Sequence, residues 1–256
     1  MSLIKQNIPS TKGDLAAVIH YPEKETGGLA ILCPGYLDTK DYKHLVKLAE
    51  ELSQKGLVVV RFDPTGTWES AGTISDYTNS QYLIDIRNVL DYMTSQKDYQ
   101  NILLGGHSRG GQMSILYAAR DPRISVVLGI MPSFGPLLGR KREEWEKKGV
   151  HASYRDLPED EEEKREILVP FSHILDRDNY DALEDVKKVH APVVLVAGEL
   201  DDLVTSAEVN QIFENANEPK VLITLAGIGH DYRHHDNEVE LVNGRIMEGA
   251  GPYLFY

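Results

Sequence analysis

Residues 105–111 read Gly-Gly-His-Ser-Arg-Gly-Gly, directly after the apolar run Ile102–Leu104 and directly before the helix-patterned Gln112–Ala119. A Gly-x-Ser-x-Gly pentapeptide between a strand and a helix places its serine at a sharp bend, where a side chain at Gly106 or Gly110 would strike neighbouring backbone. Ser108 is therefore the candidate nucleophile. The pentapeptide alone arises by chance in roughly one chain in ten of this length. Its strand-turn-helix context gives it meaning, because a serine that merely caps a helix would need no partners elsewhere in the chain.

Working outward, branched apolar runs recur at Leu29–Cys33, Leu57–Phe62, Ile102–Gly105, Val126–Met131, Val193–Ala197 and Val221–Leu225. Continuous rather than alternating apolar character is what a parallel strand covered on both faces requires. Between the first two runs, Leu45, Val46, Leu48, Ala49 and Leu52 share one helical face that Gly56 ends, and Tyr82, Ile86, Val89, Leu90 and Met93 repeat the pattern before the third. Leu3–Ile8 and Leu15–His20 can pair antiparallel around the Thr11–Asp14 turn. The alternation predicts an α/β fold with a doubly wound, mostly parallel sheet.

The rhythm breaks after Met131, since roughly fifty residues pass where a connection of ordinary length would hold one helix. Ser133–Asp185 reads as an inserted lid, with 1–132 and 186–256 forming the core. The charge-dense Arg140–Lys148 and the acidic Glu159–Glu166 are expected to solvate an exposed helix face. Trp145, Tyr154, Phe171 and Tyr180 are interleaved with them. An insertion here overhangs the carboxyl ends of the strands, where open α/β sheets bind ligands, so Trp145 and Phe171 are candidate substrate contacts.

Composition narrows the class. Hydrophobic residues at 41% and charged residues at 26% are ordinary for a globular chain. A net charge of −13 repels phosphate backbones and anionic lipid, which argues against nucleic-acid and membrane partners and favours small neutral or weakly charged substrates. Met1–Pro9 lacks a basic segment followed by a long apolar core, and no run approaches the roughly 20 apolar residues of a membrane span. Cytoplasmic residence is the expectation. The lone Cys33 permits no intramolecular disulfide and fits core packing. Oligomeric state is open, a homodimer being one option.

A serine hydroxyl becomes a nucleophile only when an imidazole takes its proton, and the imidazole needs a carboxylate to fix its tautomer. After Val193–Ala197 comes Gly198-Glu199-Leu200-Asp201-Asp202, where Asp201 is the first candidate for that acid and Asp202 the alternative. After Val221–Leu225 comes Gly227-Ile228-Gly229-His230, a flexible loop able to present His230 as the base. A rival chemistry lies in the same stretch: His230, Asp231, His234, His235 and Asp236 crowd together, but no second cluster with ligand spacing accompanies them, so no metal site is expected. His107 is expected to pack beside its strand.

The chain order Ser108, Asp201, His230 resembles that of the α/β-hydrolase superfamily, and the resemblance covers nearly the whole chain. In look it is nearest to small bacterial serine esterases of the cinnamoyl (feruloyl) type, which carry a modest lid between corresponding strands. Phe62-Asp63 followed by Gly66, Glu69, Ser70 and Gly72 is similar to the family's Asp-x-x-Gly-x-Gly-x-Ser-x-Gly loop, with Thr67-Trp68 departing from it. The resemblance implies a carboxylic ester hydrolase acting on small or aromatic-acid esters through an acyl-enzyme, without cofactor or metal. It also implies an oxyanion hole from the backbone N–H groups of Tyr36 and Arg109, Pro34-Gly35-Tyr36 standing where many relatives have His-Gly. The same machinery would serve a peptidase or thioesterase, and a non-catalytic ligand-binding protein of this fold would lack the assembled triad.

Overall fold

Each branched run becomes a strand because both of its faces find a helix layer. The computed structural model describes residues 1–255. The chain opens with the hairpin β1 (Ser2–Ser10) and β2 (Gly13–Tyr21), then runs β3 (Gly28–Cys33), α1 (Lys43–Gln54), β4 (Val58–Phe62), α2 (Asn79–Gln96), β5 (Asn101–His107), α3 (Arg109–Ala118) and β6 (Val126–Ile130). Next come α4 (Arg140–Lys148), β7 (Val150–Leu157), β8 (Asp160–Pro170), α5 (Ser172–Arg177) and α6 (Ala182–Val186). The chain then returns through β9 (Val193–Gly198), α7 (Ser206–Asn215), β10 (Lys220–Leu225) and α8 (Asp236–Leu254). Eight strands form one sheet in the order β1-β2-β4-β3-β5-β6-β9-β10. The first two pairings, β1 with β2 and β2 with β4, are antiparallel and the rest parallel.

The period of two sorts the core. Leu29, Ile31 and Cys33 of β3 join a cluster with Tyr82, Ile86 and Val89 of α2 and Ile115 and Leu116 of α3. Ala30 and Leu32 join the opposite cluster with Leu45 and Leu48 of α1 and Val239 and Val242 of α8. Full burial of each leucine, isoleucine and valine among them stabilises by ~1.5–3 kcal/mol, so the two layers hold the sheet and fix its register. Strand β4 lies on one side of β3 and β5 on the other. The chain therefore reverses its winding between β3 and β5, and the loops leaving their carboxyl ends part to leave a crevice.

The segment between β6 and β9 departs from expectation. Residues 159–166 do not form a helix: they lie in the β7–β8 hairpin, paired from Val150 with Pro170 to Asp156 with Lys164. A run of charges carries no apolar period, whereas cross-strand partners such as Tyr154 and Glu166, joined by a 2.6 Å hydrogen bond, do favour the extended form. Helix α6 straddles the expected boundary at 185/186. Its Ala182 and Val186 are buried, and it packs on α3 and α7, so this turn belongs with the core. Among the described residues no helix is long and apolar enough to cross a membrane.

Candidate active site

The turn from β5 into α3 exists because two of its positions lack a side chain. A Cβ on Gly106 would stand 2.2 Å from the Cys33 carbonyl oxygen and one on Gly110 2.0 Å from the same atom. With β3 this close, Ser108 takes φ 53° and ψ −116°, a strained conformation for a residue with a side chain. The Ser108 amide is tied to Ile130 O at 2.8 Å, which leaves the hydroxyl free to point out of the turn.

Two further loops converge on that hydroxyl. His230 Nε2 lies 3.0 Å from Ser108 Oγ, and His230 Nδ1 lies 2.7 Å from Asp201 Oδ2. A carboxylate only accepts, so Nδ1 donates to Asp201 and Nε2 is left to accept the Ser108 proton. The other carboxylate oxygen of Asp201 accepts from the Leu203 and Val204 amides at 2.9 and 2.8 Å. Burial raises the cost of ionising Asp201, but the bonds from His230, Val204 and Leu203 outweigh it and hold the carboxyl below its ordinary range. The neighbouring Asp202 is exposed and has no bond to His230. The acid and histidine loops are also stitched to each other, Glu199 N donating to Leu225 O at 3.0 Å and Leu200 N to Ile228 O at 2.9 Å.

Tyr36, in the loop after β3, comes next to Ser108 because β3 and β5 pair directly, Cys33 opposite Gly106. Neither the Tyr36 nor the Arg109 amide has a hydrogen-bond acceptor among the described residues. The loop is held from below by buried Asp63, which accepts from Thr39 Oγ1 at 3.0 Å and Lys40 N at 2.8 Å. Thr67-Trp68 does not open the neighbouring turn, because Trp68 Nε1 donates to Leu37 O at 2.8 Å and clamps the two loops together.

Above the serine is a cavity of about 690 Å³ whose wall includes Tyr36, Arg109, Trp145, His173, Arg177 and His230. Trp145 is buried there, its indole N–H donating to Val169 O at 3.0 Å. Phe171 corrects its expectation: it is not among the lining residues and instead lies 5.5 Å from the Arg142 guanidinium. The β7–β8 hairpin forms another wall. Arg155 donates to Tyr36 O at 3.0 and 2.6 Å, and Arg233, from the loop after His230, pairs with Asp156 through contacts of 2.6 and 2.7 Å.

Sequence reasoning did not single out Arg155, His173, Arg177 or Arg233, whose roles arise only where distant segments meet. It also missed Asp38 and His44, which with His107 present possible metal-ligand atoms within 4.8 Å of one another. Asp38 already takes the Arg155 guanidinium at 3.3 Å. Burial first, and mutual repulsion second, push His44 well below its ordinary value, and burial likewise lowers His107, so both rings are neutral packing against Tyr232. His107 stands 4.6 Å from the His230 ring, a flank rather than a proton partner. The His234 ring pairs with Glu161 at 2.9 Å and takes no part in that group.

Comparison with known proteins agrees with this architecture. The profile of the Alpha/beta hydrolase family matches residues 30–244, and the chain belongs to that family. An uncharacterized protein of Mycobacterium tuberculosis is 27% identical over 88% of this chain and 68% of its own length. The palmitoyl-protein thioesterase ABHD10 of Rattus norvegicus is 25% identical over 76% of this chain and 66% of its own. In fold the chain is similar to Est1E from Butyrivibrio proteoclasticus with ferulic acid bound, at TM-score 0.79 and 23% identity over 97% of this chain and 98% of that one.

Proposed function

We propose that the protein is a serine hydrolase cleaving carboxylic esters of small molecules through an acyl-enzyme. The observation that carries this reading is the continuous relay of Ser108 to His230 at 3.0 Å and His230 to Asp201 at 2.7 Å, at the foot of a cavity. In this reading Ser108 Oγ attacks the carbonyl carbon as its proton passes to His230 Nε2, and the Tyr36 and Arg109 amides receive the oxyanion. Collapse breaks the ester C–O bond, and the imidazolium gives its proton to the leaving alkoxide. Water then enters by the same route in reverse and frees the acid and Ser108.

The ferulic acid bound to Est1E supports small, including aromatic, acids as the acyl part. A thioester reading has its own support in the name of the ABHD10 relative, and the same attack would expel a thiolate. A fluorophosphonate probe should label the wild type and fail on Ser108→Ala. Full labelling of the variant would refute the assignment. Parallel rates on matched oxygen esters, thioesters and peptides then separate the leaving groups.

A further inference from the structure

The chain has 40 acidic residues against 27 basic, yet the cavity wall beside Ser108 carries Arg109, Arg155, Arg177 and Arg233. Two of these are spoken for: Arg155 stands 3.3 Å from Asp38 and Arg233 grips Asp156. The other two have no carboxylate partner among the described residues. Arg109 is buried, donates through Nη1 to the neutral Asn79 Oδ1 at 2.7 Å, and lies 5.1 Å from the Tyr36 ring. Arg177 donates through Nε to Gly135 O at 3.1 Å. The carboxylate next to it in sequence, Asp178, is taken by Arg142 at 2.9 and 2.7 Å.

Arg109 is buried and Arg177 half-buried, neither with a counter-ion, and a charge left uncompensated away from water is among the costlier features a protein can keep. Burial, and then the charge of Arg109, lower the Arg177 pKa to about 9, which leaves this guanidinium charged at neutral pH. The Tyr36 hydroxyl, in the same cavity wall, is also buried without a hydrogen-bond partner. His173 is no substitute anion: its Nδ1 donates to Tyr77 O at 2.7 Å, and burial, with Arg109 second, keeps the ring neutral.

We propose that Arg109 and Arg177 form an anion subsite in the cavity beside Ser108, and that the preferred substrates are esters bearing a free carboxylate. The planar donor forks of arginine suit a carboxylate held in two-point fashion, and burial strengthens the pairing. This rests on the hydrolase reading for turnover but not for binding. The overall charge of −13 slows the approach of such a substrate. The local field at the subsite decides what is retained.

The test compares kcat/KM for hemiesters of short dicarboxylic acids, with charge on the acyl side, and acetate esters of short hydroxy acids, with charge on the alcohol side, each against its methyl-capped neutral isostere. One of the two charged series should be favoured roughly 10- to 100-fold, as befits hydrogen bonds to a charged group, and Arg177→Gln should collapse that ratio. The series that wins shows which half of the ester the subsite holds. Neutral isosteres doing as well as both charged series in the wild type would overturn the proposal, whether or not the variant folds. Independently, glutarate should raise the Tm of Ser108→Ala. Glutarate protection without turnover of any ester would sink the hydrolase reading and keep the subsite, while turnover without selectivity or protection would do the reverse.

Discussion

At the scale of single residues, the backbone of Tyr36 and its side chain have separable duties. The amide has no acceptor among the described residues, while the ring lies 5.1 and 5.5 Å from the Arg109 and Arg155 guanidiniums. Proline removes the donor and alanine keeps it. Loss of one oxyanion donor raises the barrier by about 3–4 kcal/mol, so Tyr36→Pro should cut kcat by roughly two to three decades relative to Tyr36→Ala. Equal turnover in the two variants, with both melting cooperatively, would exclude the Tyr36 amide from the oxyanion site. Ser108 and His230 were legible in the sequence because the elbow and the histidine loop each follow a strand. The choice between Asp201 and Asp202 was not: the two share charge and loop, and only the turn that aims Asp201 at His230 and leaves Asp202 in solvent distinguishes them.

Among the elements, the β7–β8 hairpin shows most clearly how tertiary contact overrides local reading. Its charges look like those of a solvated helix, yet it is anchored to two separate stretches, the segment between β3 and α1 and the loop after His230. Arg233 pairs with Asp156, Tyr42 OH donates to Asp156 O at 2.8 Å, and Arg155 reaches Tyr36 O. Burial opposes the ionised Asp156, and Arg233 more than offsets it, holding this carboxyl below its usual range. Removing one member of a largely buried pair leaves a stranded charge and costs about 3–5 kcal/mol when burial is complete. Arg233→Ala should therefore loosen this hairpin before the rest of the fold, read as faster amide exchange across 150–170 with the β3 and β5 amides unchanged. An unaltered exchange pattern in the hairpin would show that the ion pair is not its anchor. The core strands needed no such help, since a run apolar on both faces is stable only in the middle of a covered parallel sheet.

For the molecule as a whole, buried neutral histidines set an acid limit. His20 accepts from Arg61 Nε at 2.9 Å, and burial, reinforced by the Arg61 charge, lowers its pKa from 6.5 to about 4. The unfolded chain thus binds more protons than the folded one between those values. Stability from His20 is complete above about pH 6.5 and falls as the pH drops toward 4, by up to about 1.4 kcal/mol per pH unit. His44, His107 and His173 shift in the same direction and add to the slope. Asp201, shifted downward, contributes stability that is lost only in stronger acid, below the ordinary carboxylate range. Melting temperatures should stay nearly level from pH 7.5 to about pH 6.5 and decline below that toward pH 5, and a flat profile over the lower range would contradict the neutral, buried state of these rings. By itself the sequence determined the α/β architecture, the elbow serine and the histidine that serves it, because apolar period and glycine sterics act between near neighbours in the chain. Only the tertiary structure decided which aspartate joins them, that residues 159–166 turn into and form a strand from Asp160, and that two arginines face the cavity without a counter-ion. Those outcomes depend on desolvation and on pairing between groups as far apart as Asp156 and Arg233, which no local pattern encodes.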